Sequence, residues 1–171
     1  MGVLAADLLK LDLPQADKRL YTFVETDGCF SDGVAVATGC WLGHRTMRLM
    51  DQGKTAVTFV DTLTGQAFRV WPNPVARELA IQLVPDAQSR WHAMVEAYQS
   101  MPTEELLCAT PVVLNLDIKA LVSRPGIRVN CDKCGEEIIN EREIVADGRV
   151  LCQSCAGENY WSALMLTAEQ I

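Results

Sequence analysis

The sequence predicts an α+β fold, a mixed or antiparallel sheet core packed with helices, followed by a small C-terminal treble-clef zinc finger. Three observations carry that expectation. Strand-like stretches are grouped ahead of helical ones instead of alternating with them, which disfavours a doubly wound sheet. Residues 56–71, AVTFVDTLTGQAFRVW, read as a hairpin of two alternating β-rich runs around Leu63-Thr64-Gly65. Four cysteines, Cys131, Cys134, Cys152 and Cys155, follow the spacing C-x2-C-x17-C-x2-C.

Taken in order, VLAADLLKL (3–11) has the apolar stripe of a helix, which Leu13-Pro14 ends. RLYTFVET (19–26) alternates like a strand. Asp27-Gly28-Cys29 then leads into a short helix from about Ser31 to Thr38, bracketed by Gly39 and Gly43. A strand is expected over 46–51, with a turn at Asp51-Gln52-Gly53, before the hairpin that Pro72 and Pro74 stop. Helices are expected over 75–83 and 86–100, a short one after Pro102, and a last core strand over PVVLNLDI (111–118). SRPGIRVN (123–130) has the turn residues of a linker. The expected domains are a core over 1–122, a linker over 123–129 and the finger over 130–171.

The chain has 171 residues, enough for one ordinary domain and a small module. Hydrophobic residues at 49% and charged ones at 22% are the balance of a folded globular chain. No apolar run approaches the roughly 20 residues that span a bilayer. The N-terminus lacks a basic segment before its apolar part and carries Asp7 within it, unlike a signal peptide. A cytoplasmic protein with no membrane partner is expected. The net charge is −7, from 15 basic and 22 acidic residues. Residues 131–171 hold three bases against eight acids, the reverse of a nucleic-acid footprint.

Seven cysteines without an export signal point to metal or thiol chemistry rather than disulfides. Each Cys-x-x-Cys turn brings two thiolates toward one tetrahedral ion, and four thiolates leave no open position for water. One structural zinc per chain is therefore expected, supplying about 10–16 kcal/mol to a segment too short to fold on a core of its own, with an iron site or a thiol redox pair as the rival reading. Between the pairs, EEIINEREI and GRVL read as two strands joined at Ala146-Asp147-Gly148. QSCAGENYWSALMLTAEQ reads as a helix with Cys155 in its first turn and Tyr160, Leu164 and Met165 at helical spacing.

Three cysteines remain. Cys29 and Cys40 lie at opposite ends of the 31–38 helix, more than about 12 Å apart, so one chain cannot bring both to one ion. Cys29, at the helix's start, is a candidate reactive or ligating group, with Asp27 and Asp32 as possible co-ligands. Cys40 is expected to be a buried neutral thiol, and Cys108, among Leu106, Leu107 and Ala109, to be core. His44 reads as a surface loop residue and His92 as structural. Close helix–strand packing would account for Gly33 and Gly39. There is no Walker-type loop, Rossmann fingerprint or Ser/His/Asp set, so no self-sufficient active site is visible.

Together, ETDGCFSDGVAVATGC, the GK-AVTF-D--TG hairpin and the CDKCGE…GRVLCQSC tail resemble the family of the formylmethanofuran dehydrogenase E-subunit, over roughly residues 2–160. The resemblance implies an α+β core with an auxiliary treble-clef finger, a homodimer, and a link to molybdenum- or tungsten-dependent formylmethanofuran dehydrogenase and one-carbon metabolism. It also implies a core pocket at Asp27, Gly28 and Cys29, with a second metal of unknown identity or a reactive site. In the family that pocket is faced by a Gly-His-x-Cys-Pro-like element. This sequence opens at MGVLAADLL, inside what would be the following helix, which predicts a shortened chain or a pocket that keeps half its parts. The expected function is that of a metal-binding accessory or subunit-like protein. The alternative is a protein-interaction or regulatory zinc-finger module, meeting a partner through the finger and without catalytic activity.

Overall fold

The computed structural model describes residues 1–118 and 126–162. The chain divides into two compact units, Met1–Ile118 and Lys119–Ile171. Among the described residues, no helix is long and apolar enough to cross a membrane.

The first unit is built on a five-stranded sheet of order β2-β1-β3-β4-β5. Its strands are β1 (Leu20–Val24), β2 (Met47–Leu49), β3 (Val57–Asp61), β4 (Ala67–Pro72) and β5 (Leu107–Pro111). β1 and β2 run parallel, because α2 (Cys29–Thr38) carries the chain across between them; the other neighbours are antiparallel. The sheet is thus mixed, as expected. β1 and β3 are buried along their whole length, the mark of central strands covered on both faces.

On one face, Leu20, Val24, Val57, Phe59 and Val70 pack with Ala5 and Leu9 of α1 (Gly2–Leu9) and Val34 and Ala35 of α2. The two helices meet closely: a Cβ added at Gly2 would lie 2.9 Å from Ala37 Cβ. α2 ends at Gly39, whose φ of 74° is left-handed and whose added Cβ would lie 2.5 Å from the Gln15 carbonyl oxygen. Only glycine fits there. Gly33 differs from its expected role, because an added Cβ would meet nothing within 4 Å. The hairpin turn is closed by Asp61, whose Oδ1 accepts from Leu63 N–H at 2.9 Å while its carbonyl accepts from Gly65 N–H at 2.8 Å.

α3 (Ala76–Leu83) and α4 (Arg90–Ala97) fall within the expected helices. α4 starts later than expected, at Ser89, whose hydroxyl accepts from His92 N–H. α5 (Thr103–Leu106) passes directly into β5, so the last core strand covers 107–111 and not 111–118. Residues 112–117 form no strand, and Val113 is 91% exposed. Cys108 consequently stands half-buried on an edge strand instead of in the core.

The second unit holds two small sheets. β6 (Arg128–Asn130) pairs antiparallel with β7 (Glu137–Ile139), and β8 (Ile144–Ala146) with β9 (Arg149–Leu151). Residues 128–130 are thus a strand and not linker. The single strand expected over 136–144 is broken where Asn140 and Glu141 adopt φ of 63° and 56°, which splits it between two partners. The helix expected after Cys152 is absent over 153–162, where the backbone turns instead. Leu164 and Met165, and with them the rest of the segment expected to be helical, lie outside the described residues.

Candidate functional site

In the second unit the hairpins bring the four cysteines together. Gly135, at φ 77°, lets the first knuckle fold back so that its N–H donates to the Cys131 carbonyl at 2.9 Å. Ala156 N–H does the same to the Cys152 carbonyl, also at 2.9 Å. Asp132 ties the first knuckle to β9, its N–H donating to the Val150 carbonyl and its carboxylate accepting from Val150 N–H. Cys131, Ile138 and Leu151 form the small buried cluster beneath.

The four Sγ atoms all lie within 4.8 Å of one another, and those of Cys134 and Cys152 are 3.9 Å apart. A tetrahedron with metal–sulfur bonds of about 2.3 Å has edges near 3.8 Å, so the donor set fits one ion after small adjustment. Electrostatics agree. The N–H groups of Cys134 and Cys152 lower the Cys131 pKa to about 6, as a ligating thiolate needs. The hydrogen-bonded neighbour Cys152, followed by burial, pushes Cys155 up to about 12. Packed thiols resist ionising together unless a cation sits among them. Four sulfur donors suit a metal ion such as zinc.

In the first unit a cleft of about 770 Å³ opens between α2 and the β4–α3 region. Cys29 lines it, exposed, as the first residue of α2; Gly33, Lys54, Arg69, Trp71 and Arg77 are also in its wall. Arg69 Nε and Nη2 each donate at 2.6 Å to Glu25, which is 6% exposed, and this fork holds the Glu25 carboxyl below its usual range. The guanidinium also lies 5.2 Å from the Trp71 ring centre. Asp27 is exposed and outside the cleft wall. Among the described residues, the four tail cysteines are the one set of three or more His, Cys, Asp or Glu able to hold an ion.

Cys40 is buried at the far end of α2, donating from Sγ to the Leu20 carbonyl at 3.3 Å, and burial raises its pKa. His44 is exposed, and His92 Nδ1 pairs with Ser89 Oγ at 2.9 Å. Sequence reasoning singled out none of Glu25, Lys54, Arg69, Trp71 and Arg77. The one local signal was a charged residue inside the otherwise apolar run AFRVW.

The chain has relatives among known proteins. The family model described as "FmdE, Molybdenum formylmethanofuran dehydrogenase operon" matches residues 1–108. A probable S-adenosyl-L-methionine-binding protein of Archaeoglobus fulgidus is 27% identical over 182 aligned residues, which cover 94% of this chain and 48% of that protein. The chain thus spans about half the length of this curated relative. The crystal structure of an FmdE-like protein of the tungsten formylmethanofuran dehydrogenase type, from Syntrophus aciditrophicus, superposes with a TM-score of 0.57. It is 24% identical, with 94% of this chain and 83% of that one covered, a likeness of fold. With the family model matching well over half its length, the chain belongs to the FmdE family.

Proposed function

We propose that this chain is a metal-binding accessory or subunit-like protein of molybdenum- or tungsten-linked one-carbon metabolism, whose tail cysteines hold one structural zinc ion. The observation that carries the metal is the four sulfurs within 4.8 Å of one another. Family membership supports the metabolic setting. Zinc is favoured over other ions because a closed sulfur tetrahedron suits it and provides no open position for catalysis. Cys131, Cys134, Cys152 and Cys155 are the ligands, and the ion ties together two sheets that are otherwise too small to persist. A second metal in the core is not part of this reading, since among the described residues no set of three or more His, Cys, Asp or Glu able to hold an ion includes Cys29.

Elemental analysis of the purified chain tests it. One zinc per chain, lost in Cys152→Ser and retained in Cys29→Ser, is the expected result. Iron as the resident metal, or an unchanged zinc content in Cys152→Ser, overturns the assignment.

The alternative role, an interaction module without catalytic activity, draws support from Val145, Tyr160 and Trp161, which are 71%, 97% and 52% exposed on the same unit. If docking through this tail is the chain's role, molybdenum or tungsten co-purifies with the tagged full-length chain from its native cells. Tyr160→Ser/Trp161→Ser then abolishes that while leaving zinc in place. Co-purification that ignores the double substitution counts against the tail as the docking surface.

A further inference from the structure

The cleft of the first unit has a charge character opposite to that of the chain. Among the described residues, the charged side chains of its wall are Lys54, Arg69 and Arg77, and no Asp or Glu lines it, although the chain carries 22 acids and 15 bases. The Glu25 carboxylate behind the wall balances Arg69 and also feels Lys54. That leaves more positive than negative charge among these four side chains. Arg77, exposed on the first turn of α3, has no hydrogen-bond or ion-pair partner among the described residues. The remaining wall includes the flat side chains of Phe30, Trp71 and Tyr98.

Gly33 supplies a second, independent observation. It sits in the interior of α2, where glycine costs about 1 kcal/mol against alanine. Neither backbone angle nor crowding requires it, since an added Cβ meets nothing within 4 Å. It lines the cleft, so a larger side chain there would project into the space. Glycine at this position keeps the cleft open at the helix's expense. The volume, about 770 Å³, lies in the range of small-molecule sites.

We propose that this cleft binds a small organic anion with a planar apolar body, its carboxylate or phosphate met by Lys54 and Arg77 and its body by the aromatic wall. The proposal goes beyond the zinc reading and does not depend on it. Calorimetric titration of the full-length chain with naphthoate, naphthyl phosphate and the uncharged naphthamide tests it. At least one of the two anions should bind about tenfold or more tighter than naphthamide, and the tighter one identifies the preferred anionic group. That affinity should fall with added salt, and severalfold in both Lys54→Gln and Arg77→Gln, exposed positions whose substitution spares the core. Gly33→Leu should abolish binding with the thermal transition and zinc content preserved. Equal affinity for naphthamide, no binding of any probe, or undiminished binding in the two cation variants overturns the proposal. Because zinc content is read on the same samples, such a failure is distinguishable from failure of the tail assignment.

Discussion

Glu25 and Arg69 reach toward each other across β3, and their fork is nearly out of water: their side chains are 8% and 27% exposed. Removing Arg69 leaves a buried carboxylate with neither its charge partner nor its two donors, a loss of about 3 kcal/mol. Arg69→Gln should therefore lower the urea midpoint of the first unit, and an unchanged midpoint would show the pair to be incidental. The same geometry sets an acid limit. Glu25 is held below its ordinary range by Arg69. Asp61 is held below its own too: burial pulls it upward, but the Arg19 guanidinium, the Leu63 N–H and the Thr64 hydroxyl outweigh that. In each case the unfolded chain takes up the proton first, so folding binds fewer protons and stability rises with pH. The contribution is complete above the ordinary carboxylate range near ~4 and is lost as pH falls through the depressed folded values. Unfolding curves from pH 7 to pH 3 should show that loss, and Arg69→Gln should flatten part of it.

At the scale of elements, α2 offers two glycines with opposite expectations. Gly33→Ala adds helix propensity in open space and should stabilise by up to about 1 kcal/mol. Gly39→Ala forces a Cβ into a left-handed residue and against the Gln15 carbonyl, which should cost at least about 1–2 kcal/mol. Thermal melts of the two variants should shift in opposite directions; a common direction would mean that the left-handed Gly39 is not what ends α2. In the second unit the strands are only three residues long. Chelating the metal should therefore abolish amide protection at Val129 and Ile138 while Phe59 and Val70 in the central sheet stay protected, as hydrogen exchange would reveal. The legibility of these elements followed from how local their signals are. The β3–β4 hairpin and the cysteine knuckles were readable because turn residues and ligand spacing are local. β5 was misplaced because PVVLNLDI imitates alternation more closely than LCATP, whose pairing with β4 is what makes it a strand. β6 was hidden among turn residues. The cleft draws its wall from segments far apart in sequence, so Cys29 alone among its residues is readable as functional from local sequence.

For the whole molecule, the surface of the first unit raises the question of what covers its apolar residues. Val3 on α1 and Val36 on α2 are 73% and 71% exposed, and they adjoin the residues of the close Gly2–Ala37 contact between the two helices. Trp41 and Leu42, just past α2, are 42% and 63% exposed. Exposed apolar residues on and beside one helix pair are the raw material of an interface, and burying a valine contributes about 1.5 kcal/mol or more. We propose that this helix pair is the contact of a homodimer, in which each copy repeats the same patch and so doubles every gain. Sedimentation equilibrium should give a particle of twice the 18.9 kDa chain mass. Val36→Asp, which places two like charges in the contact without touching the core, should reduce it to the monomer. The zinc content should not change, because the tail ligands all come from one chain. A monomer in the unsubstituted chain, or a dimer indifferent to Val36→Asp, would remove this helix pair as the interface.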